Sequence, residues 1–364
     1  MKALKIQSDM AKRAAQILLQ LLYYGCLILF LWNNTMGEAT GFGYLLDHAA
    51  RRIFWIVFFG ISALKLILYL TSGERPKRES LLLIFFGAWI LLIRTQWNGF
   101  LDETFLYCPV IAMGAVGEDE GKLLKAWFWV KLLIILECYA GSMIGIIPYL
   151  VSGNGGLGAD HAFGFAHKNT LGMELFSVLI LGWCAFPKKG NLLTMYVGIL
   201  GAMFCHRYVK SDTGTLMLAA TAAAALMLEI AEHLPAKWTW KVSVGKWLGY
   251  VLAWGYFLCT LISVLLVRGY GTEEKNANTE GFFHKLNDHL HRRLEFPWKG
   301  LQTYGIHFLG QRVEMNTGEG AYFFLDNSYY YLLLHFGVGI WLAIGIVSVW
   351  MMVRIGPVQM AEAK

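Results

Sequence analysis

Apolar stretches near or above the roughly 17 residues that carry a helix across a bilayer recur along the chain, at 14–32, 53–71, 81–97, 127–150, 169–186, 191–206, 213–232, 247–268 and 326–353. A tenth, 102–117, is shorter. It opens on Asp102 and Glu103, contains Pro109, and reads as a full span, a tilted span or a re-entrant hairpin. The pattern predicts an all-α polytopic transmembrane helical bundle of about ten spans, built as a single integral membrane domain over 1–364. The first run is long enough to stay as a helix, so no cleaved signal peptide is expected. Most connections are short. The exception, 269–325, is predicted as one large extracytoplasmic loop, polar, His-rich and weakly helical over FFHKLNDHLHRRLEF. A connection of that length inside a compact fold is usually functional. No internal repeat or low-complexity tract is visible, which counts against a transporter assembled from inverted repeats.

Composition points the same way: 57% of residues are hydrophobic and 15% charged, too little polar surface for a water-soluble fold of 364 residues. The six cysteines (Cys26, Cys108, Cys138, Cys184, Cys205, Cys259) lie in or beside apolar runs, so a disulfide framework is not expected. Net charge is +6, but topology explains most of it. With ten spans, the termini and the connections on their side carry sixteen Lys and Arg. The opposite short loops carry five, Arg51, Arg52, Lys168, Arg207 and Lys210. The positive-inside rule then puts both termini in the cytoplasm of a multi-pass protein. The bilayer, not nucleic acid, is the partner this charge implies. Lys65 and Lys131 fall near cytoplasmic helix ends, where long stems snorkel.

The outer face carries charge against the topological bias. Arg51, Arg52, Arg94, Lys168, Arg207, Lys210 and Arg268 fall at outer span ends, and the long loop adds Arg292, Arg293 and Arg312. Such clustering suggests an anionic ligand at the membrane surface, a lipid phosphate or pyrophosphate, which Arg grips in bidentate fashion. The plainer alternative is pairing with Asp102, Glu103, Asp160, Asp212 or headgroups. The stretch DHAFGFAHKNTLG, 160–172, sets His167, Lys168 and Asn169 at a helix mouth. There His167 reads as a general base, a hydrogen-bond donor or simply an interfacial histidine, and Asn169 with Thr170 also reads as a helix N-cap. His284, His289 and His291 lack cysteine partners and ligand spacing, so no metal is assigned. Glu137, Glu174 and Glu229 fall inside predicted spans and keep a transporter reading open.

Three segments in order resemble the bacterial O-antigen polymerase and O-antigen ligase family, nearest to the capsule and exopolysaccharide repeat-unit polymerases of Gram-positive bacteria. They are GFAHKNTLG (164–172), LNDHLHRRLEFPWKGLQTYGIHFLGQ (286–311) and FLDNSYYYLLLHFGVG (324–339). The resemblance covers the second half of the chain. It departs at SDTG, 211–214, where Asp212 stands in place of the family's Arg. His291 and Arg292 replace its Ser-Gly, and Asp326 stands where ligase-like members have His.

What the resemblance implies is a membrane glycosyltransferase of the GT-C type, metal-independent, without cofactor, in the bacterial cytoplasmic membrane. It would take polyprenyl-diphosphate-linked oligosaccharides as substrates and work alongside flippase and chain-length regulator proteins. Arg293, Arg207, Lys210, Arg292 and Lys168 would neutralise the diphosphate leaving group. Asp326 or His167 would take the acceptor proton, with inversion by single displacement. Asn169, Tyr304 and Tyr329, with Trp298 and Tyr322, would contact the glycan, and the glycines of 269–325 would let the loop move as a lid. Alternatives are a ligase-type glycan transferase and a lipid-linked oligosaccharide flippase or transporter.

Overall fold

The computed structural model describes residues 2–36, 48–72, most of 80–92, 103–149, 151–152, 160–186, 190–233, 240–314 except 278 and 291, and 328–346 with 349. The described residues are helical, with turns and loops, apart from one two-residue antiparallel pairing, and their apolar helices mark a membrane protein. Among the described residues, six helical stretches are long and apolar enough to cross a membrane: Arg13–Met36, Ala50–Thr71, Gly190–Val209, Asp212–Ile230, Trp254–Lys275 and Tyr329–Ile346. The first five bury narrow seams and expose large apolar side chains elsewhere, the reverse of a soluble helix, while Tyr329–Ile346 is half buried. In helix α1 (Lys2–Met36) the buried positions Tyr23, Leu27, Phe30 and Leu31 follow a helical stripe, while Ile17 and Leu21 stand 59% and 65% exposed. Hydrocarbon chains are the solvent that tolerates such a surface.

The chain forms two compact units. In the first, α1 meets α2 (His48–Thr71) and α3 (Glu103–Ala115) through a ring cluster. Phe30 lies 5.5 Å from Trp55 and 5.3 Å from Tyr107, and Tyr23 lies 5.8 Å from Phe58. Helix α3 has 13 residues, about 20 Å at 1.5 Å per residue, short of the roughly 30 Å hydrocarbon layer. In the turn after it, Glu118 gathers Lys65, Gln20 at 2.7 Å and the Tyr24 hydroxyl at 3.2 Å, and its side chain is 4% exposed. Asp119 then caps α4 (Glu120–Met143) by accepting from the Lys122 amide at 2.8 Å.

Lys131 of α4 binds both carboxylate oxygens of Glu174 on α5 (Lys168–Ala185), at 2.7 and 2.5 Å. Trp32 donates to Glu137 at 3.0 Å. The expectation that Lys65 and Lys131 snorkel is therefore corrected. Each sits in an ion pair with side chains 15% exposed or less, because two carboxylates face them across helix contacts. Strands β1 (Val151–Ser152) and β2 (Asp160–His161) pair before the loop that leads into α5. Helix α6 (Gly190–Phe204) runs on through a π-helical turn, Cys205–Val209, into α7 (Asp212–His233).

The second unit is built on α8 (Trp240–Lys275), whose 36 residues extend about 54 Å. Its sequence is uncharged from Trp247 to Val267, about one hydrocarbon thickness, so the end from Arg268 to Lys275 projects beyond it. There α9 (Phe282–His289) and α10 (Glu295–Tyr304) fold back on α8 around Val267, Tyr270, Leu294 and Tyr330. Gly269 and Gly271 lie inside α8 against the rings of Phe283 and Trp298; a Cβ on Gly271 would come within 2.5 Å of the Trp298 indole. These two glycines are docking notches rather than the hinges expected from the sequence. Helix α11 (Ser328–Tyr331) passes into a π-helical turn, Leu332–Phe336, that ends at Gly337 with φ +79°.

Candidate functional site

The loop before α5 is shaped by close backbone packing. Gly164, at φ +89°, lies so near α4 that a Cβ would sit 2.6 Å from the Cys138 carbonyl, and Phe165 behind it is fully buried. The chain then turns into α5 at His167, whose extended backbone and ring make it the N-cap: Nδ1 accepts from the Asn169 amide at 3.1 Å. This corrects the reading of Asn169 and Thr170 as the cap, since both are already helical. A nitrogen that accepts an N–H carries no proton, so the neutral ring bears its hydrogen on Nε2 and offers a donor there.

Asn169 accepts from Ser211 Oγ at 2.9 Å, and Ser211 Oγ in turn accepts from the Gly214 amide at 3.1 Å. Beneath this bond Gly172 and Gly214 touch backbone to backbone; a Cβ on Gly214 would lie 2.6 Å from the Gly172 Cα. GFAHKNTLG and SDTG are thus packed together at one end of α5 and α7, 42 positions apart in sequence. Lys168 is the first residue of α5, and Lys210 ends the π-helical turn in the left-handed region, φ +59°. Arg207 is exposed in that turn. Asp212 opens α7, where the helix dipole favours a negative charge.

Within the second unit the other two motif segments meet. Backbone bonds run from Gln311 to His335 at 3.2 Å, from Val338 to His307 at 3.2 Å and from Gly339 to Phe308 at 3.0 Å. They satisfy groups that the π-helical turn takes out of the helical ladder. Gly310 and Gly337 both have positive φ here, and a Cβ on Gly310 would strike the backbone of His335 and Phe336.

Arg292 sits at φ +65° and donates Nε and Nη2 to Glu295 at 2.7 and 2.6 Å, with its guanidinium 5.0 Å from the Phe296 ring. Lys299 reaches the same carboxylate at 2.6 Å. The hydrogen bond from Arg292 holds Glu295 at about 2, against desolvation that would raise it and with Lys299 adding to the fall. Arg293 is exposed in the turn before α10. The Tyr304 hydroxyl joins the end of α10 to Glu314, donating to its carbonyl at 3.4 Å and accepting from its amide at 3.3 Å. Tyr329 packs edge to face on Tyr256, 5.7 Å between ring centres. Asp326 lies outside the described residues.

Two of the candidate cations, Lys210 and Arg292, are among four non-glycine residues with positive φ in the described chain, and a third, Phe163, lies in the loop before His167. Such strain persists where the surroundings over-determine it, and it gathers at functional sites. Among the described residues no group of three or more His, Cys, Asp or Glu side chains is placed to hold a metal ion. The residues that sequence reasoning passed over are Ser211, which ties the two helix mouths, and the carboxylates around Trp298. Glutamates spread over 274–314 form no motif until α8 and α10 are packed. No protein-family model, curated protein or solved structure matches this chain.

Proposed function

We propose that the protein is a membrane glycosyltransferase that polymerises polyprenyl-diphosphate-linked oligosaccharide repeat units into a surface polysaccharide on the outer face of the bacterial cytoplasmic membrane. The observation that carries this reading is the Ser211–Asn169 junction, which gathers His167, Lys168, Arg207 and Lys210 at one end of the α5–α7 pair. Cations gathered at a helix mouth, Lys210 among them in strained backbone, are what a departing lipid diphosphate needs. This reading also assigns roles in the reaction to Arg293 and Asp326.

Asp326 takes the proton from the acceptor hydroxyl as its oxygen attacks the anomeric carbon of the donor. The bond from that carbon to the diphosphate oxygen breaks, and its electron pair leaves on the polyprenyl diphosphate. One displacement inverts the centre. The Nε2 hydrogen of His167 then serves as a donor to diphosphate or sugar oxygen.

Reconstitution with a lipid-diphosphate repeat unit tests this. Wild type should produce a ladder of longer lipid-linked glycans, Lys210→Ala and Arg293→Ala should slow it by about 10²-fold or more, and Asp326→Ala should abolish it. A covalent glycosyl-enzyme would sink the single displacement. One observation favours a second reading, a lipid-linked oligosaccharide flippase: the Lys131–Glu174 pair lies within the helix bundle, where ionisable residues often line a transport path. Protein-dependent glycolipid crossing of liposomes, with no ladder, would establish that reading instead.

A further inference from the structure

The second unit holds a cleft of about 400 Å³ between the projecting end of α8, the face of α10 and Glu314, within the roughly 300–1,000 Å³ range of small-molecule sites. Its aromatic surfaces are Tyr270, Trp298 and Tyr304, and its carboxylates are Glu274, Glu295 and Glu314. We propose that this cleft binds an uncharged sugar residue of the growing glycan and turns away anionic sugars; the choice of ligand rests on the polymerase reading above.

The mixture of groups is specific to saccharides. A pyranose presents C–H faces that lie flat on an indole or phenol ring, and hydroxyls at its rim that donate to carboxylates. Trp298 is held as a platform: its ring rests on Gly271, with Lys275 Nζ 5.3 Å from its centre, and it stays half-buried at the cleft. Tyr304 is fixed by its two bonds to Glu314, so the far wall is also rigid. Rigid aromatic walls lose little entropy on binding.

The carboxylates are already neutralised from behind. Glu295 carries Arg292 and Lys299, Glu274 accepts from His284 Nε2 at 3.0 Å, and Arg312 stands 3.9 Å from Glu314. Their remaining lone pairs can accept from sugar hydroxyls, whereas a uronate or phosphate oxygen, itself an acceptor, brings them no hydrogen to bind. The diphosphate end of the substrate is thereby excluded from this cleft, and the two ends of a lipid-linked glycan are handled by different residues. Exposed Gln302, in the lining, supplies a donor to a ring or glycosidic oxygen.

The test uses the full chain in nanodiscs, applied to an array of neutral and acidic bacterial oligosaccharides, with a polymerisation assay on the same preparation. Wild type should be retained on neutral glycans and not on uronate- or phosphate-bearing ones. Trp298→Ala should weaken retention about tenfold. Gln302→Ala, which removes an exposed side chain and leaves the packing intact, should weaken it about threefold. Lys210→Ala should lose polymerisation yet bind glycans as wild type does. Retention on acidic glycans only, no retention on any neutral glycan, or equal retention by wild type, Trp298→Ala and Gln302→Ala would each overturn the cleft. A protein that binds neutral glycans but builds no ladder keeps the cleft and loses the polymerase. One that builds a ladder without such binding does the opposite.

Discussion

Glu295 is the residue on which the projecting segment turns. It lies in the first turn of α10, accepts from Arg292 and Lys299 together, and is only 12% exposed although both cations are more than half exposed. Its carboxyl falls from an ordinary 4.5 to about 2, so the folded form binds the proton more weakly than the unfolded one. The stability it contributes is therefore present above about 4.5 and lost as pH falls through about 2. With solvent screening on the cationic side, Glu295→Gln should cost about 1 kcal/mol near neutral pH, and thermal melts should show that gap narrowing below pH 4.5.

His284 behaves with the opposite sign. Desolvation would lower its pKa, but hydrogen bonds to Glu273 and Glu274 raise it above the ordinary value. Its contribution is then full at acid pH and lost as pH rises through the raised value. Limited proteolysis of the turn at Asn276–Gly281 should show His284→Gln loosening this turn more at pH 6 than at pH 8.5. Equal loosening at both would remove the charged histidine from the account.

At the scale of elements, hydropathy located most of the helices because dehydration adds residue by residue and needs no knowledge of partners. What it missed was rotation and depth. Lys131 and Glu174 are 43 positions apart, and nothing in either helix alone says that they share a level and face each other. Helix α3 was legible only as an ambiguity, since Pro109 and a short apolar run fit several structures. The candidate site was legible as a set of motifs, but their contacts were not: the bonds among His307, Phe308, Gln311, His335, Val338 and Gly339 are main-chain bonds, marked in sequence only by Gly310 and Gly337. Gly310→Ala should therefore cost about 2 to 5 kcal/mol from positive φ and backbone collision together, seen as a lower melting temperature and poor membrane accumulation. For the buried pair, Lys131→Met alone should destabilise by about 3–5 kcal/mol, while Lys131→Met with Glu174→Leu should recover most of that loss. If the double variant is stable but glycolipid transport disappears, the pair serves transport rather than folding.

At the scale of the whole molecule, the expected orientation rests on charge asymmetry: counted over ten spans, sixteen Lys and Arg fall on the side of the termini against five in the opposite short loops. The rule behind it is kinetic and electrostatic, since positive flanks are retained on the cytoplasmic side during insertion. It makes a claim that geometry can sharpen, because α8 is about 24 Å longer than the hydrocarbon it crosses. About half of that excess, Arg268–Lys275, stands in water on one side, carrying α9, α10 and the cleft with it, and the rest, Trp240–Lys246, on the other. A cysteine placed at exposed Glu280, in the turn after α8, should react in intact cells with a membrane-impermeant maleimide. One at exposed Glu120, the first residue of α4, should react only after permeabilisation. The described native thiols should give little background, because Cys138 and Cys205 are buried and Cys26, Cys184 and Cys259 lie along apolar helices. The reverse labelling pattern would put the cleft and the α5–α7 mouth in the cytoplasm. The substrate would then have to be an activated donor of the cell interior, and polymerisation of exported lipid-linked units would be ruled out whatever the binding data showed.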